Sequence, residues 1–112
     1  MAAVGIKILT LSVVATAALS ANRAVTGTGA VPAAGARCLG VTDFAAAIGE
    51  RVSVGVQGTM PGEAGAAFAA DAALELDAVG RFITKASGVT VGRAITAAVG
   101  AGSLAEILLI PN

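Results

Sequence analysis

Turn signals recur along this chain roughly every 8–12 residues, with strand-length stretches between them, which is the pattern of a small barrel or sandwich. They stand at Ile48-Gly49-Glu50, Pro61-Gly62, Asp77-Ala78-Val79-Gly80, Ser87-Gly88 and Gly100-Ala101-Gly102-Ser103. Val52, Val54 and Val56 alternate with Ser53, Gly55 and Gln57, the period-two signature of a strand with one buried face. Further strands are expected over residues 37–42, 72–76, 81–85, 89–97 and 104–110, the last stopped by Pro111, which has no amide to donate. Residues 58–65 (GTMPGEAG) read as a loop with Pro61-Gly62 at the centre of a tight turn. Residues 43–48 (DFAAAI) read as one helical turn capped by Asp43, and the alanine-rich 63–74 as mostly irregular, because Gly65 breaks its start.

Residues 7–21 (KILTLSVVATAALSA) admit two readings. As an export leader they offer an apolar run and small residues near Ala21, but Lys7 is the only cation before Arg23, a weak basic region. As a strand they place Leu9, Leu11 and Val13 on one side and Thr10 and Ser12 on the other. The strand is the expectation; its rival is an exported bacterial surface or periplasmic β-domain with a cleaved leader. The run is too short for a membrane-crossing helix, which needs about 20 apolar residues. Residues 23–36 (RAVTGTGAVPAAGA) follow as a loop or extended arm. The expected organisation is one all-β domain of about seven short strands, a small β-barrel or β-sandwich, with residues 1–36 an N-terminal strand and arm and 37–112 the β-rich core.

Charge carries the functional argument. Only 12% of the 112 residues are charged, against about 25% in ordinary globular domains. Hydrophobic residues make up 56%, net charge is zero and mean hydropathy is +0.88. So few charges do not cover a free monomer's surface, which implies that sister subunits or a larger partner cover part of it. The plainer reading is an alanine-rich composition on an ordinary monomer. With no basic cluster and neither Trp nor Tyr, the footprint of nucleic-acid binding is missing.

Each candidate for chemistry yields to a structural reading. Cys38 is the sole cysteine and there is no histidine, so there is no disulfide, no thiolate cluster and no activating base. Glu75 and Asp77 would face the same way on a strand, but a solvated face beside a turn accounts for them. Gly27-Thr28-Gly29 lacks phosphate-loop spacing, and Asp43, Glu50 and Glu63 lack calcium-loop spacing. No catalysis, metal or cofactor is expected.

The stretch from Cys38 onward resembles the small capsid cement or head decoration proteins of tailed bacteriophages. The likeness is carried by Gly40-Val41, the Gly49-Glu50 turn, the Val52 to Val56 strand ending at Gly58, and Asp77-Ala78-Val79-Gly80-Arg81. Val91-Gly92-Arg93-Ala94, then Gly102 leading into Glu106 to Ile110, complete it. One departure is Ala70-Asp71, where such proteins often place glycine. The resemblance implies a non-enzymatic virion protein on the outer capsid surface, reached from the host cytoplasm during assembly. It would bridge major capsid protein subunits as a homo-oligomer, a trimer before a dimer, without nucleic-acid or membrane partners. Leu9, Leu11 and Val13 are the expected capsid or intersubunit contacts.

Overall fold

The computed structural model describes residues 5–112; residues 1–4, the beginning of the expected 1–36 segment, lie outside them. The described residues hold eight strands and no helix: β1 (Lys7–Val14), β2 (Ala24–Val25), β3 (Gly40–Thr42), β4 (Arg51–Glu63), β5 (Ala73–Leu76), β6 (Phe82–Thr84), β7 (Gly92–Ala94) and β8 (Leu104–Leu109). The ladders between the strands are all antiparallel, in the order β2-β3-β4-β8-β7-β5-β6, with β1 joining β4 off that path. The architecture is a nearly closed barrel. Phe82 bridges Ala64 and its carbonyl accepts the Gly65 N–H (2.8 Å), which brings β6 back to the end of β4. Ala24 N–H donates to the Gly80 carbonyl (2.8 Å), drawing β2 to the β5–β6 turn.

β4 belongs to both halves of the molecule. Its first part, Arg51 to Gly58, lies between β1 and β3, while Thr59 to Glu63 pairs with β8. The expected loop over 58–65 with a Pro61-Gly62 turn is therefore strand, up to Glu63. The proline is tolerated because of where its missing N–H would point. Thr59 and Glu63 send their amides away from β8, to the carbonyls of Ile6 (2.9 Å) and Asn22 (2.8 Å), and alternation gives Pro61 the same direction. No bond of the β4–β8 ladder is lost, as strand prolines require.

The other differences are local. No helical turn forms over 43–48: Ala46 pairs with Leu19, and the Asp43 carboxylate takes Ser53 and Lys7 instead of capping a helix. Tertiary partners outweigh the helix propensity of three alanines. The strands expected at 37–42 and 89–97 shrink to β3 and β7. Within 23–36, Ala24 and Val25 form a buried strand on the barrel, so this stretch is more than a loop. Asp71, at the departure from the family's glycine, has φ 69°, the left-handed conformation that glycine adopts most readily.

Two apolar clusters match the two halves. The larger, inside the barrel, is built from Phe82, Met60, Leu74, Leu76, Val91 and Ile107 with small residues between them. The smaller, under β1 to β3, holds Ala15, Leu19, Val25, Ala46, Val52 and Val54, with Val13, Leu39 and Val56 at its margin. Residues of the leader-like run are thus core: Ala15 and Leu19 are buried.

Candidate functional site

The two carboxylates that the sequence paired, and the thiol, are spent on structure. The Glu75 carboxylate accepts the N–H groups of Ala86 (2.5 Å) and Gly88 (3.0 Å), and Asp77 accepts those of Val79 (3.0 Å) and Arg81 (2.9 Å) and the Arg81 Nε–H (3.0 Å). The pair suggested by the sequence is two separate turn clamps. The two backbone donors hold the Glu75 carboxyl below the usual carboxylate range, with Lys85 adding to the effect, so it stays ionised and is a poor base near neutral pH. A carboxyl lowered by folding stabilises fully above its unfolded value of about 4.3, and that contribution fades as pH falls through the lower folded value. Glu75→Gln is therefore expected to melt below wild type at pH 7, the gap closing toward pH 3; a gap that holds or widens on acidification would sink this assignment. Burial pushes the Cys38 thiol up to about 11, against a smaller opposing effect of Asn112, which keeps it protonated and unreactive.

Most charges also cancel one another. Arg23 forks onto Glu63 (3.0 and 3.1 Å), Arg81 joins Glu63 to Asp77, and Arg93 faces Asp71. Among the described residues there is no cluster of His, Cys, Asp or Glu able to hold a metal. No helix there is long and apolar enough to cross a membrane.

What remains is a surface. Among the described residues β1 is an edge strand, pairing with β4 on one side only. Leu11 stands opposite Val54 and Val13 opposite Val52, so both lie on the core face, as their alternation predicts. The core does not reach far enough to cover the strand. Val13 is half-buried at the margin of the smaller cluster, but Leu11 is 43% exposed, Leu9 44% and Ile8 75%. The structure thus places the three predicted contact residues on one strand and leaves two of them half in solvent. The opposite face is polar. There the Lys7 ammonium meets Asp43 (2.5 Å), Ser53 donates to Asp43 (2.6 Å), and the Arg51 guanidinium donates to Ser12 Oγ (3.1 Å). Burial alone would raise the Asp43 carboxyl, but Lys7 and Ser53 together hold it below its ordinary value, so this clamp on β1 is charged at neutral pH. Sequence reasoning missed Ile8 and Arg51. Ile8 sits where the β1–β4 register shifts, which strict alternation does not anticipate, and Arg51 reaches Ser12 only across a strand pair.

Comparison with known proteins points to a structural protein. A protein-family model described as phage cement protein matches residues 4–109. No curated protein matches the sequence. Among solved structures, the crystal structure of the head fiber gp8.5 N base in bacteriophage phi29 is similar, with a TM-score of 0.75 at 17% identity over 91% of this chain and 93% of that one. At that identity the likeness establishes the fold.

Proposed function

The chain belongs to the phage cement protein family, and from that premise we propose that it binds the outer surface of a phage capsid and bridges neighbouring major capsid protein subunits. Membership makes it a structural, non-enzymatic protein of the phage head. The observation that supports bridging is the half-exposed apolar margin of β1, with Ile8, Leu9 and Leu11, on a molecule with few charges, eight of its fourteen being held in ion pairs. Covering that margin removes apolar surface from water at roughly 25 cal/mol per Å². One copy gains little this way, but each copy that spans two capsid subunits turns a second weak contact into an intramolecular one. Leu9, Leu11 and Val13 are assigned to this contact, Val13 as the support beneath the other two. A homotrimer provides three such edges around a local three-fold position.

The test is to mix the purified protein with undecorated capsids and image them. Ordered density outside the shell, touching two capsid subunits per copy, is the expected result. Leu9→Ser/Leu11→Ser is expected to lower occupancy while the free protein still folds. Bare capsids at saturating protein would end the proposal.

A further inference from the structure

The outer rim of β1 presents unused backbone hydrogen bonds, and their direction can be worked out. Ala15 donates its N–H to the Glu50 carbonyl (2.8 Å), so Ala15, Val13 and Leu11 turn their backbone groups toward β4. Alternation turns those of Thr10 and Ser12 the other way. Ser53, opposite Ser12, agrees: its carbonyl accepts the Asp43 N–H (2.9 Å), on the side of β4 away from β1. Among the described residues no strand pairs with this rim. Natural sheets guard such edges with charge, proline or a covering loop. Here the one lysine on the strand is neutralised by Asp43, there is no proline in β1, and the loop at Thr28 and Gly29 lies against the Val14 to Thr16 end, beyond Thr10 and Ser12.

A single cation stands by the open rim. Arg51 leans over β1 onto Ser12 and has no carboxylate within ion-pair distance among the described residues. We infer that the rim of β1 at Thr10 and Ser12 takes an extended strand from a different protein, apolar on the side of Leu9 and Leu11 and carrying an Asp or Glu that reaches Arg51. Main-chain bonds supply the affinity and the carboxylate fixes the register. A second copy is the poorer occupant, because KILTLSVV has no acid to offer Arg51. The inference rests on the proposed capsid binding and specifies how it is made.

Three measurements on the full chain with undecorated capsids test it. Thr10→Pro deletes an amide that the chain's own ladder does not use, and Arg51→Glu sets like charge against the strand's acid. Each is expected to weaken capsid binding at least about tenfold with the melting temperature little changed. In the wild-type protein, hydrogen exchange at Thr10 and Ser12 is expected to be fast when free and slow on the capsid, a readout that needs no variant to fold. Wild-type affinity in both variants, or amides that stay fast on a decorated capsid, overturns the strand docking while leaving capsid binding intact. A free-protein dimer that Thr10→Pro converts to monomer overturns it in favour of a second copy. Wild-type protein that fails to bind capsids removes the function and this inference together.

Discussion

Phe82→Ala is expected to destabilise the protein by about 3–5 kcal/mol, the range for emptying a buried aromatic site. Phe82 is the largest fully buried side chain among the described residues. It stands opposite Leu76 on β5 and bridges Ala64, so one residue both fills the core and brings β6 to the end of β4. The space beside its ring exists because position 62 has no side chain: a Cβ on Gly62 would lie 2.9 Å from Phe82 Cε2. Paired strands hold the walls apart, so the cavity closes only partly on truncation. Against a total of about 5–15 kcal/mol for a domain of this kind, that loss is a large fraction. Urea or thermal melts measure it. Phe82→Leu, which keeps much of the volume, should lose clearly less, and a loss under about 1 kcal/mol for alanine would show that closure does not depend on the ring.

Gly58→Ala should act on the barrel's other dependency, the passage of β4 from one sheet to the next. Gly58 has φ 97°, and a Cβ there would fall onto the carbonyl oxygen of Ile6 and come within 3.0 Å of the Ile8 amide nitrogen. It lies opposite Lys7, where the β1–β4 register slips. The strained backbone costs about 1–3 kcal/mol, and the contact with β1 adds to it, because neither side is a side chain that can swing away. Gly49→Ala separates the two effects, since Gly49 has φ 89° but nothing within 4 Å of its Cβ position. The expected order is Gly58→Ala well below Gly49→Ala, and both below wild type. In Gly58→Ala, hydrogen exchange should rise first around residues 6–9, where the Lys7–Asp43 clamp would be pulled apart. Equal losses at the two glycines would refute the contact argument.

How far each of these features could be read from the sequence follows from the range of the forces involved. The alternation at Val52 to Val56 and at Leu9 to Val13 is local, because a pleated strand points successive side chains to opposite faces whatever it pairs with. Turn positions are local too: glycines at 49, 80 and 102 all carry the positive φ that their turns demand. The structural, non-enzymatic character that family membership gives was also legible, since a chain with no histidine and one cysteine offers little for catalysis. Strand status for Pro61 was not legible. Its neighbours Gly58, Gly62 and Gly65 signal a turn, and only the direction of the missing amide, set by which side β8 lies on, reverses that reading. The helical turn at 43–48 failed for a related reason. Its alanines favour helix weakly, and the bridge to Leu19 comes from 27 residues away in the sequence.

Read alone, the sequence yielded an all-β domain, its turns apart from the one expected at Pro61-Gly62, the buried face of the Val52 to Val54 run and a composition short of charge. Each follows from side-chain chemistry acting over a few residues. Only the folded chain decided that β4 pairs with β1 and β3 in its first part and with β8 in its second, that β6 closes the barrel on Phe82, and that Leu11 lies on the core face yet beyond the core's reach. It also decided that, among the described residues, no strand pairs with the rim of β1 beside Arg51. Those outcomes depend on which strands run out of partners, and pairing between distant segments is fixed only when the whole sheet has formed.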